Sequence, residues 1–130
     1  SAPLPSGVRV LGNIEAELTV VSDAPDTDLV AKLVDVDPSG LAINVQEGAL
    51  RLRFREGPEA PRLMEPGTRY TVRVPMRALG HYFRPGHRIR LQVTSSNFPR
   101  LERNLNTGGR NFDESVGRVA KNSILHGPGM

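Results

Sequence analysis

Ala16, Leu18 and Val20 share one face of an alternating run, with Glu15, Glu17 and Thr19 on the other. A period of two is the mark of a strand with one buried face. The pattern predicts a strand over residues 14–22 and a shorter one over 8–11. The next run, 29–36, is apolar at nearly every position except Lys32, as expected of a central strand covered on both sides. Asp37, Pro38, Ser39 and Gly40 form a β-turn signal, so 41–45 reads as the returning partner. Residues 50–55 alternate again: Leu50, Leu52 and Phe54 point one way, Arg51, Arg53 and Arg55 the other. Thr68 to Pro75 and His87 to Thr94 repeat the pattern, with Tyr70, Val72 and Val74 and then Ile89, Leu91 and Val93 facing inward. Residues 78–83 read as a short helical turn or an irregular arm.

Thirteen glycines and eleven prolines fall between these runs as punctuation. Residues 1–7 form a proline-rich linker, 56–67 a loop, and 95–109 a longer polar loop. In that loop Ser95, Ser96 and Asn97 bond locally to backbone. Phe98 plugs the end of the sandwich, and Arg100 and Arg103 reach outward. The last twenty residues hold one or two short strands. Seven or eight short strands with no amphipathic helix argue for an all-β fold, an antiparallel β-sandwich of the jelly-roll kind. Its core is expected to hold Leu18, Val20, Leu33, Leu52, Val72, Leu91 and Val93. A strand near Val8 would pair near the C-terminal region, and a further strand after Met130 is expected to complete the sheet. The domain is read as 8–130, one unit at this length.

Composition narrows the chemistry. The chain has 130 residues, no cysteine and no tryptophan. Disulfides and Cys-ligated zinc are therefore excluded. No run approaches the length of a membrane span. The formal net charge is +3, and only Lys32 and Lys121 among seventeen basic residues are lysines. That charge is small and scattered, which argues against nucleic acid as a partner. Arginine suits partly buried pairs with carboxylates. The row Arg51, Arg53 and Arg55 is read first as a solvated face and second as a contact for acidic residues of another domain.

Catalytic candidates are weak. The nearest match to a nucleophile elbow is Asp113-Glu-Ser115-Val-Gly117, which has Asp where the motif needs Gly and no parallel sheet around it. His87 is expected to anchor its turn through a hydrogen bond, and His81 to pack beside Tyr82 and Phe83. With His126 they lack the spacing of a metal site. Asp23, Asp26 and Asp28 could face a calcium ion, but their expected role is to cap turns. No cofactor and no metal are expected.

Several pieces then combine. Ser22-Asp-Ala-Pro-Asp-Thr-Asp28 precedes a hydrophobic strand. Leu33-Val-Asp-Val-Asp-Pro-Ser-Gly40 and Leu50-Arg-Leu-Arg-Phe-Arg55 follow, then Pro66-Gly67, Gly86-His-Arg-Ile-Arg90, Ser95-Ser-Asn-Phe-Pro-Arg100 and Asn104-Leu-Asn-Thr-Gly108. In this order they resemble the C-terminal domain of the X-Pro dipeptidyl-peptidase and cocaine esterase-like (CocE/NonD) serine hydrolases, across almost the whole chain. The resemblance implies a galactose-binding-like jelly roll that carries no triad residue. It implies packing on the α/β-hydrolase and cap domains of a parent chain, and a share in shaping the active-site entrance. The parent would release X-Pro dipeptides or hydrolyse esters and amides. Arg51, Arg53, Arg55, Tyr82, Phe83, Phe98, Arg100 and Arg103 are the candidate interdomain contacts. Tyr82 and Phe83 would form an exposed apolar patch, through which the domain could self-associate as a homo-oligomer. The alternative is an independent carbohydrate-binding module, for which His81, Tyr82 and Phe83 are the only local aromatic group. A cytoplasmic location is favoured.

Overall fold

The computed structural model describes residues 1–127. Six strands follow the alternating runs: β1 Val8–Ser22, β2 Asp28–Val36, β3 Ala42–Arg51, β4 Arg69–Phe83, β5 Arg88–Thr94 and β6 Asn122–Leu125. They form two three-stranded antiparallel sheets, in the orders β4-β1-β6 and β3-β2-β5. The fold is an all-β antiparallel sandwich of the jelly-roll, galactose-binding-like type. No α-helix occurs among the described residues.

The core lies where the alternation predicts it. Ala16, Leu18 and Val20 of β1 face Leu29 and Ala31 of β2, with Val72, Val74 and Met76 of β4, Leu52 and Met64 beside them. Leu18, Val20, Leu52 and Val72 are buried as expected, and Leu33 and Val93 pack against them partly buried. The turn after β2 is built by the Asp37 carboxylate, which accepts from the Ser39 amide at 2.8 Å, the Ser39 hydroxyl at 2.6 Å and the Leu41 amide at 3.0 Å. Gly40 completes it with φ 93°.

Four expectations need correction. Residues 8–11 and 14–22 are one strand, with a bulge where Asn13 pairs with Ala78 and Glu15 with Pro75. Residues 78–83 are neither helix nor irregular arm but the second half of β4. Arg77, with φ 67°, forms the bulge in β4. The inward set shifts there from Val72, Val74 and Met76 to Leu79, His81 and Phe83, so one alternation never runs through the strand. Residues 41–45 and 50–55 are not two strands. β3 ends at Arg51, and Leu52–Phe54 turn into a short 3-10 helix. Finally, β6 pairs with Thr19–Ser22 of β1, whereas Val8 pairs with Phe83. The further strand expected beyond Met130 lies outside the described residues.

The two long sides of the sandwich differ. Along β3 and β4 the sheets meet. A Cβ on Gly48 would lie 1.9 Å from the Pro75 carbonyl oxygen, so only glycine permits this approach, and Gln46 donates to the Ala78 carbonyl at 2.9 Å. Along β5 and β6 the sheets stand apart. Leu91 sits opposite Leu33 on the inward face, yet it is 46% exposed, because little of the facing sheet lies over it. It is therefore not a core residue here. The lead-in also packs: the Leu4 amide donates to the His87 carbonyl and the Gly86 amide to the Leu4 carbonyl, each at 2.8 Å.

Candidate interdomain interface

The segment 95–121 leaves β5 and crosses the outer face of the β3-β2-β5 sheet before it reaches β6. Its anchor is a pair of carboxylates at the start of β2. Asp26 is fully buried. Its Oδ1 accepts from the Arg53 amide at 2.9 Å and its Oδ2 from Arg53 Nε at 2.7 Å. Asp28 takes a forked pair from Arg51, Nε at 2.9 Å and a terminal nitrogen at 3.1 Å. That bond to Asp28 raises the Arg51 pKa against the opposing effect of burial. The Asn104 amide nitrogen bridges both acids, at 2.9 Å to Asp26 and 2.8 Å to Asp28.

From this point the loop builds itself. Asn104 Oδ1 accepts from the Asn106 amide at 2.9 Å, and the Asn106 side chain donates to the Arg118 carbonyl at 3.0 Å. Arg53 reaches on to the Gly109 carbonyl at 2.9 Å. Thr107 bonds the Glu114 carboxylate. Nearer β5, Asn97 accepts from Lys32 at 3.5 Å and Arg100 pairs with Glu47. Asp26 is buried with both oxygens bonded, and its partners Arg53 and Asn104 are held with it, because an orphaned buried carboxylate would be costly.

The structure places the predicted arginines differently from a row along a strand. Arg51 and Arg53 point at Asp28 and Asp26 across the sheet end. Arg55 donates to the Leu52 and Arg62 carbonyls at 3.1 and 2.5 Å, and lies 4.6 Å over the Tyr70 ring. The reading of a solvated arginine face is overturned: the arginine side chains are 24% and 17% exposed at Arg51 and Arg53 and 7% at Arg55. The aspartates explain this, since β3 ends where Asp26 captures the Arg53 amide. Asp26 and Asp28 thus bind arginine, while Asp23 Oδ1 caps the Lys121 amide at 2.8 Å.

Phe98 does not plug the sandwich end. It is 62% exposed, with the Arg103 guanidinium 5.0 Å from its ring. Phe83 is not at the surface at all. It is fully buried against His81, ring centroids 4.6 Å apart, and only Tyr82 of the expected patch is half exposed. Sequence reasoning passed over Phe54, Leu101 and Phe112. They are 37%, 38% and 90% exposed. Phe54 and Phe112 line a recess of about 300 Å³ with Glu102 and Arg110. A second groove of about 390 Å³ runs between the loop and β3, past Asn97, Arg100 and Leu101. For Leu101 and Phe112 the sign was there: large apolar side chains in a segment with no alternation of its own; Phe54 sat in the alternating run 50–55, whose strand pattern hid it.

His87 anchors its turn as expected, and His81 joins it. Nδ1 of His87 donates to Asp35 Oδ1 at 2.8 Å, and Nε2 of His81 to Asp35 Oδ2 at 2.9 Å. Burial pushes the Asp35 carboxyl upward, but the two histidine hydrogen bonds outweigh it and hold the group below its ordinary value. Asp35 lies on β2 and His81 on β4, so this cluster ties the two sheets together. Ser115 lies exposed on the loop. Among the described residues, no three His, Cys, Asp or Glu side chains are placed to hold a metal ion.

A family model for the X-Pro dipeptidyl-peptidase C-terminal non-catalytic domain matches residues 1–130. The chain belongs to this family. It is 48% identical over 123 residues to the cocaine esterase of Rhodococcus sp. (strain MB1 Bresler), a match that covers 93% of this chain and 21% of the esterase. An aminopeptidase of a marine-sediment Thaumarchaeota archaeon superposes with TM-score 0.89 at 30% identity, over 96% of this chain and 22% of the other. An α-amino acid ester hydrolase superposes with TM-score 0.84 at 26% identity, over 94% and 22%. The chain thus spans about a fifth of the length of these relatives. It is a C-terminal accessory domain of the kind that CocE/NonD-type serine hydrolases carry. In this family setting the anchored loop is an elaboration on a non-catalytic sandwich, which makes its outer surface the candidate contact with the rest of such an enzyme.

Proposed function

We propose that this domain packs on the α/β-hydrolase and cap domains of a parent serine hydrolase and shapes the entrance to its active site. The parent cleaves an ester, an amide or an X-Pro peptide. The observation that carries the docking face is the contrast between rigidity and exposure in the 95–121 layer. Buried Asp26 and the partly buried Asp28 and Asn104 hold it from behind, while Phe98, Leu101 and Phe112 project from it. Large apolar side chains on a fixed frame are what an interface requires, and scattered mobile ones are not. Arg51 and Arg53 serve this face from beneath, while Arg55 is turned to the Leu52 and Arg62 carbonyls. Arg100 and Arg103 stand at its surface, and Tyr82 stands exposed on the outer face of the other sheet. Interdomain contacts of this kind bury about 600–1,500 Å².

The test is made in the full-length enzyme. Phe98→Ala and Arg100→Ala are expected to lower the melting temperature or the turnover of a nitrophenyl ester more than Arg9→Ala, whose side chain is on the outer face of β1. Equal and negligible effects at all three positions would refute the docking face. Covalent labelling of the full-length enzyme by a fluorophosphonate, upstream of this domain, checks the hydrolase class.

A further inference from the structure

The hollows beside the 95–121 layer adjoin one another. The recess between Phe54 and Phe112 opens into a second of about 260 Å³, since Arg51, Phe54 and Glu102 line both. Leu101 lines that second recess and also the groove along β3. An apolar strip therefore runs from Phe112 past Phe54 to Leu101. Glu102 lines it on the Phe54 side of Leu101, and Arg77 lines the groove on the other side.

The charges along this strip do not cancel locally. In the recesses Arg51 is held by Asp28, Arg53 by Asp26, and Arg110 lies 3.9 Å from Asp113. Glu102 is left over, exposed and without an ion pair among the described residues. In the groove the sign reverses. Glu47 already has two cations, Arg100 and, at 3.8 Å, Lys32. Arg77 is the surplus charge there, with no carboxylate partner among the described residues. Its backbone sets it apart from an ordinary surface arginine. At φ 67° it is in the left-handed region, which strains a residue that carries a Cβ. A bulge of this kind re-aims a side chain, and the side chain of Arg77 lies along the groove.

Granted the docking face proposed above, we infer that the body seated on it is its electrostatic complement. That body sets a lysine or arginine against Glu102, apolar side chains over Phe54, Leu101 and Phe112, and an aspartate or glutamate against Arg77. Opposite charges on the two sides of one apolar strip select one direction of approach, because the reversed direction sets like charges together. The occupant is the hydrolase body of the same parent chain. Two copies of this domain related by a two-fold axis would also match in charge, acid to base. A body joined covalently to the domain nevertheless meets the strip at a much higher effective concentration than a separate copy. Relatives about five times the length of this chain supply such a body.

Crosslinking in the full-length enzyme reads the occupant and its charges separately. With photoreactive benzoylphenylalanine in place of Phe112, irradiation is expected to link the recess to a segment of the same chain outside these 130 residues. No link, or a link that forms only between copies as concentration rises, overturns the occupant and the docking face with it. Arg77→Lys then puts an amine in the groove that a carbodiimide can join to a neighbouring carboxylate. An isopeptide bond to an aspartate or glutamate of the parent body is expected, and none in Arg77→Gln. No bond, or a bond to Glu47 alone, overturns the acidic partner. On the other side of Leu101, Glu102→Lys is expected to cut the photolink yield about tenfold or more, since like charges then meet. Changing the cation of the linked segment to glutamate in the same protein is expected to restore it. A reversal without effect, or one that this second change does not rescue, overturns the basic partner. A photolink to the parent body with both charge results negative removes this inference and leaves the docking face standing.

Discussion

The outer faces of the two sheets carry the same two side-chain types, arginine and carboxylate, and put them to different use. On the β4-β1-β6 face, Arg73 meets Glu17 at 3.2 Å and Glu15 at 3.5 Å, and all three side chains are more than half exposed. On the β3-β2-β5 side, Arg53 meets Asp26 at 2.7 Å with the carboxylate wholly out of solvent. The first face is bare. The second carries the 95–121 layer, and the arginines are inside the contact. The distances differ little, so the distinction is desolvation. A buried pair gains little over a well-packed apolar pair, but losing one partner strands a charge in a poor solvent. An exposed pair loses almost nothing when it is broken.

The largest expected effect follows from that asymmetry. Asp26→Ala removes the acceptor of Arg53 and of Asn104 and should cost about 3–5 kcal/mol. Urea unfolding of the chain measures it. A loss under 1 kcal/mol would mean that the buried side is no different from the bare one. Next is Asn104→Ala, which leaves both aspartates short of a donor and should cost about 1–3 kcal/mol. Its signature is local: amides of residues 104–118 should exchange faster while those of β1 and β4 do not change. Uniform loss of protection would show that the loop and the sandwich are one cooperative unit.

How much of this was legible beforehand can be read from particular residues. Period two gave the direction of Leu18, Val20, Val72 and Leu91 correctly, because alternation is a property of the backbone. It gave the burial of the first three and not of Leu91, because burial depends on what the opposite sheet places over it. Alternation misled at Arg53 and Arg55, since a hydrophobic pattern is blind to a carboxylate twenty-seven positions earlier that ends the strand. It also hid the second half of β4, where the bulge at Arg77 resets the phase. The loop was recognisable as elaborate from its asparagines. That Asn104 bridges two acids is a long-range fact with no local signal.

A third experiment uses the cluster that joins the sheets, away from both outer faces. The Asp35 carboxyl is lowered in the folded state despite its burial, through the hydrogen bonds from His81 and His87. A depressed folded value means that the unfolded chain binds the proton first, so the contribution is complete above the unfolded value of about 3.9. It fades as pH falls from there through the lower folded value. Unfolding free energy measured from pH 6 to pH 2.5 should therefore show an acid limb, and Asp35→Asn should flatten it. An unchanged limb in the variant would assign the acid sensitivity to other carboxylates.

The smallest effect is the control that gives the comparison its meaning. Glu17→Ala removes one of two acceptors of Arg73, on a face where water replaces the lost oxygen at once. The Thr19 and Thr71 hydroxyls beside it, 3.4 Å apart, are untouched. The expected loss is about 0–1 kcal/mol, and raising the salt concentration should shrink it, because exposed charges are screened within about 10 Å at 0.1 M. The same salt change should leave the cost of Asp26→Ala nearly constant, since no ion reaches a carboxylate with zero exposure. If the Glu17 variant instead lost as much stability as the Asp26 variant, desolvation would not be what separates the two faces. The 95–121 layer would then owe its fixed shape to its own backbone and not to the acids beneath it.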